Sequence, residues 1–287
     1  MDGHLRRIER QAGVPDLADA LAKLALTDLQ SLLLHVYREQ AARREPRTLL
    51  AQYERDPSVA AGRSVHEFEA LALAHAGGFE PVALAPVSPL GLNGVLGQID
   101  QNNVASTIRG TEVLADPTAA LALEAAVRRR ANPAETVRLC AVCRVLRLQP
   151  VPDVPGFTQH FALFALVTAG RSQPSHGFEI EALREHVAVH RALLDACGVS
   201  QHVVRLTDVA PHVLEAIEGA IEDPDRTRAR GYYDGALLDI AATDREGQEL
   251  GLADGGLTDW TQRLLSNRKE RLFTSGLGLG LLAQRFT

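Results

Sequence analysis

An Asp-Pro step between a strand-like and a helix-like segment, Asp116-Pro117, constrains this chain more than any other feature. Proline has no amide hydrogen and a φ already near the helical value, so Pro117 belongs in a first helical turn. Asp116 before it is a strong N-cap. The surrounding stretch, Ser106 to Arg171, reads STIRGTEV, LADPTAALALEAAVRRR, VRLCAVCRVLRLQ and PGFTQHFALFALVTAGR. Its periodicities predict a strand, a helix and two further strands, that is, a hairpin flanked by a helix whose first turn points at the sheet. Helix N-termini present free amides and the positive end of the dipole, so a pocket is expected at this junction.

Residues 1–60 read as an N-terminal helical extension. Val14-Pro15-Asp16 opens one helix, Thr27 and Gln30 form a capping box for the next, and Pro46 starts a third that runs through Tyr53. The small, polar segment Asp56 to Arg63 is the expected boundary, with residues 61–287 as the core domain. In FEPVALAPVSPLG the prolines Pro81, Pro86 and Pro89 exclude a central ladder position and predict an edge or interface strand. Further on, Phe178 to Cys197 reads as a long amphipathic helix, HVVRLTD as a strand and Ala210 to Ile221 as a helix. GYYDGALLDIAATDREGQELGLADGG predicts a hairpin turning near Asp244 to Gly247. Paired strands with interspersed helices predict an α+β fold with a largely antiparallel sheet.

Charge narrows the function classes. A net charge of −6 and pI of about 5.9 lack the basic footprint of a nucleic-acid binder. No apolar run reaches membrane-span length, and MDGHLRRIER has no apolar core of a secretory signal, so a cytoplasmic protein is expected. Three cysteines make no disulfide framework, and Cys140 and Cys143 lack the second pair that zinc requires. His186 and His190 stand one helical turn apart and are expected on a solvated face, so no metal site is expected. No Walker sequence and no Gly-x-Ser-x-Gly elbow is present.

Six segments in order carry a family resemblance: GGFEPVALAPVSP, VLADPTAALALEAA, VCRVLRLQPVPDVPGFTQHFAL, RGYYDGALLDI, DGGLTD and GLGLGLLAQRF. Together, over residues 64–287, they resemble the core of a class II aminoacyl-tRNA synthetase. The histidyl-tRNA synthetases and their non-charging relative, the regulatory subunit of ATP phosphoribosyltransferase, are the nearest types. The resemblance implies a class II synthetase-like sheet flanked by helices and a homodimer built on the proline-rich first motif. On the substrate side it assigns Asp116 to the ligand's amino group, followed by Thr118, with Tyr232 and Tyr233 beside the side-chain pocket and Gly255 and Gly256 as the Gly-Gly segment. Arg144 matches the arginine that holds the α-phosphate of ATP; Arg147 and Gln159 stand in the same motif, and Gly276, Gly278, Gly280 and Arg285 in the third.

Two departures bear on activity. Leu146 replaces the second-motif acid, and Leu282-Ala283 replace the acid-Arg pair of the third, with Gln284-Arg285 displaced by two residues. Without positioned cations adenylation loses its electrostatic support. The insertion between the second and third motifs and the anticodon-binding domain have no counterpart, which argues against tRNA charging. The expectation is a non-charging paralogue with a degenerate active site, binding a small amino-acid-like or nucleotide-like ligand. Two alternatives stay open. One is an ATP- and magnesium-dependent ligase activating a carboxylate for a non-tRNA acceptor, with Arg144, Arg147 and Arg285 forming a phosphate site. The other is an interaction subunit that docks a partner enzyme through its N-terminal helices.

Overall fold

Two long apolar strands carry the architecture, because their side chains are buried on both faces and must be covered twice. In a computed structural model, which describes residues 2–54, 63–151, 157–227, 229 and 231–286, they are Val137–Leu146 and His160–Arg171. The chain divides into two units, one made of residues 1–60 with 106–111 and the other of residues 61–105 with 112–287. The boundary expected at 56–63 lies, except for Arg63, outside the described residues.

Among the described residues the first unit holds four helices: α1 (Asp2–Ala12), α2 (Leu17–Ala22), α3 (Leu26–Ala42) and α4 (Pro46–Tyr53). None of α2, α3 and α4 buries a residue, and Leu32, Val36, Leu49 and Leu50 stay exposed. Half of the strand expected at 106–113, residues 107–110, is instead a turn, closed by a 2.7 Å hydrogen bond between the Thr107 and Thr111 hydroxyls.

The second unit begins with α5 (Arg63–Ala74), β1 (Glu80–Pro81), β2 (Val87–Pro89), α6 (Leu92–Val95) and β3 (Thr111–Val113, whose first residue belongs to the first unit). It continues through α7 (Pro117–Ala131), β4 (Val137–Leu146), β5 (His160–Arg171), α8 (Gly177–Ala196), β6 (His202–Thr207), α9 (Pro211–Glu215) and β7 (Ala220–Glu222). β8 (Leu237–Thr243), β9 (Glu249–Thr258), α10 (Trp260–Leu265), β10 (Glu270–Gly278) and α11 (Leu279–Arg285) complete it. Among the described residues eight strands form one mixed sheet in the order β1-β4-β5-β10-β9-β8-β6-β7, while β2 and β3 pair separately. The central ladders are antiparallel and the edge pairs β1/β4 and β6/β7 parallel. This is an α+β fold. No described helix is long and apolar enough to cross a membrane.

Phe164, Leu166, Leu238 and Phe273 pack one sheet face against α5, α8, α9 and α11. Ala165, Val167 and Leu272 pack the other against Leu121, Ala122 and Ala125 of α7 and Trp260 of α10. Across that second face, register aligns Ala141, Ala165, Gly276, Asp254, Asp239 and Arg205 on five neighbouring ladders. Apolar on one side and polar on the other, this row becomes the floor of a cavity.

Two expectations need correction here. The helix expected over Ala210 to Ile221 stops at Glu215 and becomes β7, with Gly219 at φ +67° making the turn between them. His186 and His190 are fully buried, not solvated: they share α8's core face with Ala182, Leu183, Leu193 and Leu194. Ser275 Oγ lies 2.7 Å from a ring nitrogen of each, and Thr168 Oγ1 is 3.0 Å from the other nitrogen of His186. The arginines ending α7 also have partners. Arg128 pairs with Glu80 and Glu124, and buried Arg129 clasps Glu270 through two 2.9 Å bonds.

Candidate functional site

Asp116 caps α7 with extended backbone at φ −145°, and its Oδ1 accepts from the Thr118 amide at 2.9 Å and the Thr118 hydroxyl at 2.7 Å. Its Oδ2 accepts from the Tyr232 hydroxyl at 2.7 Å and lies 3.8 Å from the Arg147 guanidinium. Arg147 follows the end of β4, where its side chain donates to the Ala115 carbonyl at 2.9 Å and lies 5.4 Å over the Phe161 ring. One carboxylate therefore gathers the helix start, a strand end and a remote tyrosine.

These groups open onto a cavity of about 620 Å³. Phe161, Leu163, Leu281 and Ile99 form its apolar walls; Asp239, Asp254, Gly276 and Gly278 form a floor on the second sheet face. Arg226 reaches in from the polar segment after β7, bonded to the Leu238 carbonyl at 2.9 Å and to Asp254. Tyr232 and Tyr233 stack edge-on at 4.8 Å, and Tyr232 lies 5.6 Å from Trp260. Burial, together with Asp116, drives the Tyr232 hydroxyl well above its usual range; burial, then Asp254, does the same for Tyr233. Both remain neutral donors at pH 7. Burial and then Asp116 likewise push the Cys143 thiol up to about 12, which leaves it inert. Among the described residues no group of three or more potential metal ligands exists.

Of the thirteen candidates, Asp116, Thr118, Arg147, Tyr232, Tyr233, Gly276 and Gly278 line this one cavity. Both tyrosines do so because they lie in an irregular turn, where strand alternation does not send neighbouring side chains to opposite faces. Arg144 stands elsewhere. It sits on the opposite sheet face, its side chain half exposed, 3.9 Å from Glu69 of α5. Arg285 is buried against Asp244 with Glu246 and Gln248 alongside, at the β8–β9 turn. Gln159 donates weakly to the Leu148 and Gln149 carbonyls. Gly255 lies against Ser275 and the Thr274 carbonyl, and Gly256 under the Tyr233 ring, so both serve close approach. Gly280 belongs to α11, because the strand ends at Gly278. The phosphate site expected from Arg144, Arg147 and Arg285 is thus not assembled, and Leu282 and Ala283, at the clamp positions, are core residues.

Reading the sequence missed Arg226, Asp254 and Phe161. Asp254 had no usable signal, since the β-bulge between Ile240 and Ala241 shifts the β8–β9 register by one, and regular pairing about the predicted turn would put Ala253 opposite Asp239. Arg226 had none; only the path of the chain after β7 brings it to the cavity.

No protein-family model and no curated protein sequence matches the chain. Solved structures do. An ATP phosphoribosyltransferase regulatory subunit/histidyl-tRNA synthetase from Bacillus halodurans superposes with a TM-score of 0.60 at 12% identity, over 77% of this chain and 78% of the other. The apo histidyl-tRNA synthetase of S. aureus gives 0.55 at 16% identity, over 77% and 64%. Pyrrolysyl-tRNA synthetase from Desulfitobacterium hafniense gives 0.53 at 16% identity, over 82% and 73%. Sheet order, flanking helices and these superpositions together identify the fold: this chain has the class II aminoacyl-tRNA synthetase-like fold.

Proposed function

We propose that this protein is a non-charging member of the class II synthetase-like folds that binds a small amino-acid-like ligand in the Asp116 cavity. The carrying observation is the pairing of Asp116 and Arg147 at 3.8 Å on one cavity wall while Arg144 and Arg285 are engaged elsewhere. Asp116 accepts three hydrogen bonds from Thr118 and Tyr232. A carboxylate offers about four acceptor sites, so one is left for a ligand ammonium. Arg147, placed over the Phe161 ring, suits the ligand carboxylate. The apolar walls formed by Phe161, Leu163 and Leu281 suit a side chain. Activation of that carboxylate by ATP lacks its cationic clamp, which favours a regulatory binding role, in a homodimer as the first-motif segment implies.

Isothermal titration with individual L-amino acids tests the reading. Binding is expected for at least one, weakened about tenfold or more in Asp116→Asn, in line with loss of a charge-assisted hydrogen bond worth roughly 1.5–3 kcal/mol. Amino-acid-dependent exchange of pyrophosphate into ATP should be absent. Robust exchange, or binding indifferent to Asp116, refutes the proposal.

A further inference from the structure

A second cavity, of about 480 Å³, lies where the first turn of α8, the β6–α9 connection, the approach to β8, the end of β9 and the start of β10 converge. Its lining includes Glu179, Asp208, Asp234, Arg268 and Arg271, and it shares no lining residue with the Asp116 cavity. Glu179 is the informative group. It is only 8% exposed, its Oε1 lies 3.5 Å from the Arg271 guanidinium, and its Oε2 is buried with no hydrogen-bond partner. A buried carboxylate oxygen without a donor is costly, and native structures rarely keep one unless a ligand or solvent satisfies it. The backbone here is also under strain: Ser175, His176, Asp208 and Ala236 all hold positive φ between 47° and 57°. Non-glycine residues in that region cost of the order of 1 kcal/mol or more and cluster at binding sites.

We propose that this cavity is a second small-molecule site, for a free α-amino acid or a comparable small zwitterion. The unpartnered acceptor of Glu179 beside a cation on Arg271 supplies adjacent partners for an ammonium and a carboxylate joined through one carbon. The exposed Arg268 adds a second guanidinium at the rim, and Val209, Val213 and Leu257 give a short apolar wall. The site meets the first one through the chain: Asp234, Gly235 and Ala236 follow Tyr232 and Tyr233 directly, and Gln262 sits two residues beyond Trp260 on α10. Occupancy should therefore register at Trp260, the single tryptophan.

The test is titration of the full chain with each L-amino acid, read by thermal shift and Trp260 fluorescence. N-acetyl and methyl-ester forms serve as controls, each removing one half of the zwitterion. At least one free amino acid should bind Asp116→Asn protein and lose about tenfold or more in affinity in Asp116→Asn/Glu179→Gln. Arg268→Ala, an exposed change that leaves folding untouched, should weaken that binding several-fold. Equal binding by the blocked forms, or loss of all binding in Asp116→Asn, overturns this site. Binding that depends on Glu179 but not on Asp116 leaves it standing and instead removes the ligand assigned to the first cavity.

Discussion

Acidification should destabilise this protein well before its carboxylates titrate, because two neutral histidines are sealed under α8. Burial lowers the His190 pKa from 6.5 to about 3, and burial, reinforced by His190 and Arg138, lowers that of His186 well below 6.5. Both rings are fully buried, and Nδ1 of His190 has no hydrogen-bond partner to welcome a proton. The unfolded chain takes up these protons below pH 6.5 and the folded chain does not. Stability is therefore complete above pH 6.5 and falls progressively toward pH 3. From pH 7 to pH 5 the unfolded state gains roughly 1.5 pH units of protonation at His190, about 2 kcal/mol, and His186 adds to the decline in the same direction. That is a large share of a typical domain stability. Urea unfolding followed by Trp260 fluorescence reports on this unit, since the ring is buried in its core. His190→Gln should make the decline shallower, its amide replacing the ring nitrogen that faces Ser275. Equal unfolding free energies at pH 7 and pH 5, or an unchanged slope in the variant, would refute the reasoning.

Three further outcomes are expected. Glu270→Gln leaves Arg129 buried without its charge partner and should cost about 3–5 kcal/mol, while Arg129→Met/Glu270→Leu should recover much of that loss in urea titrations. Gly255→Ala puts a Cβ 2.7 Å from the Thr274 carbonyl and should cost about 1–3 kcal/mol; Gly280→Ala, with nothing nearer than 3.8 Å, should be neutral or raise the melting temperature. Glu112 is buried and accepts from the amides of Gly91 and Asn93 and the side chains of Asn93 and Gln101. Glu112→Ala orphans those donors, so a loss of about 3 kcal/mol and faster proteolysis of residues 91–103 are expected.

Local chemistry was enough for some features of this chain. Asp116-Pro117 announces a capped helix start because both residues act within three positions of themselves, and the cap forms as expected. The hairpin about Asp244–Gly247 and the proline-limited edge strand are legible for the same reason. The six ordered segments anticipated the fold, which superposition then identified. What failed was every inference that needed to know what lies opposite. Arg144 was matched to the phosphate-holding arginine by its motif, but strand alternation turns it to the α5 side, toward Glu69. The two histidines looked solvated because nothing in α8 itself reveals that Ser275, 85 and 89 residues on, supplies their hydrogen bonds. Tyr232 and Tyr233 share one cavity only because the turn around Ala229 departs from strand geometry. Periodicity and turn residues therefore determined the elements and their order. Which charges meet in a cavity, and which are spent in ion pairs outside it, was decided by sheet register and helix packing, since those set contacts between residues more than a hundred positions apart.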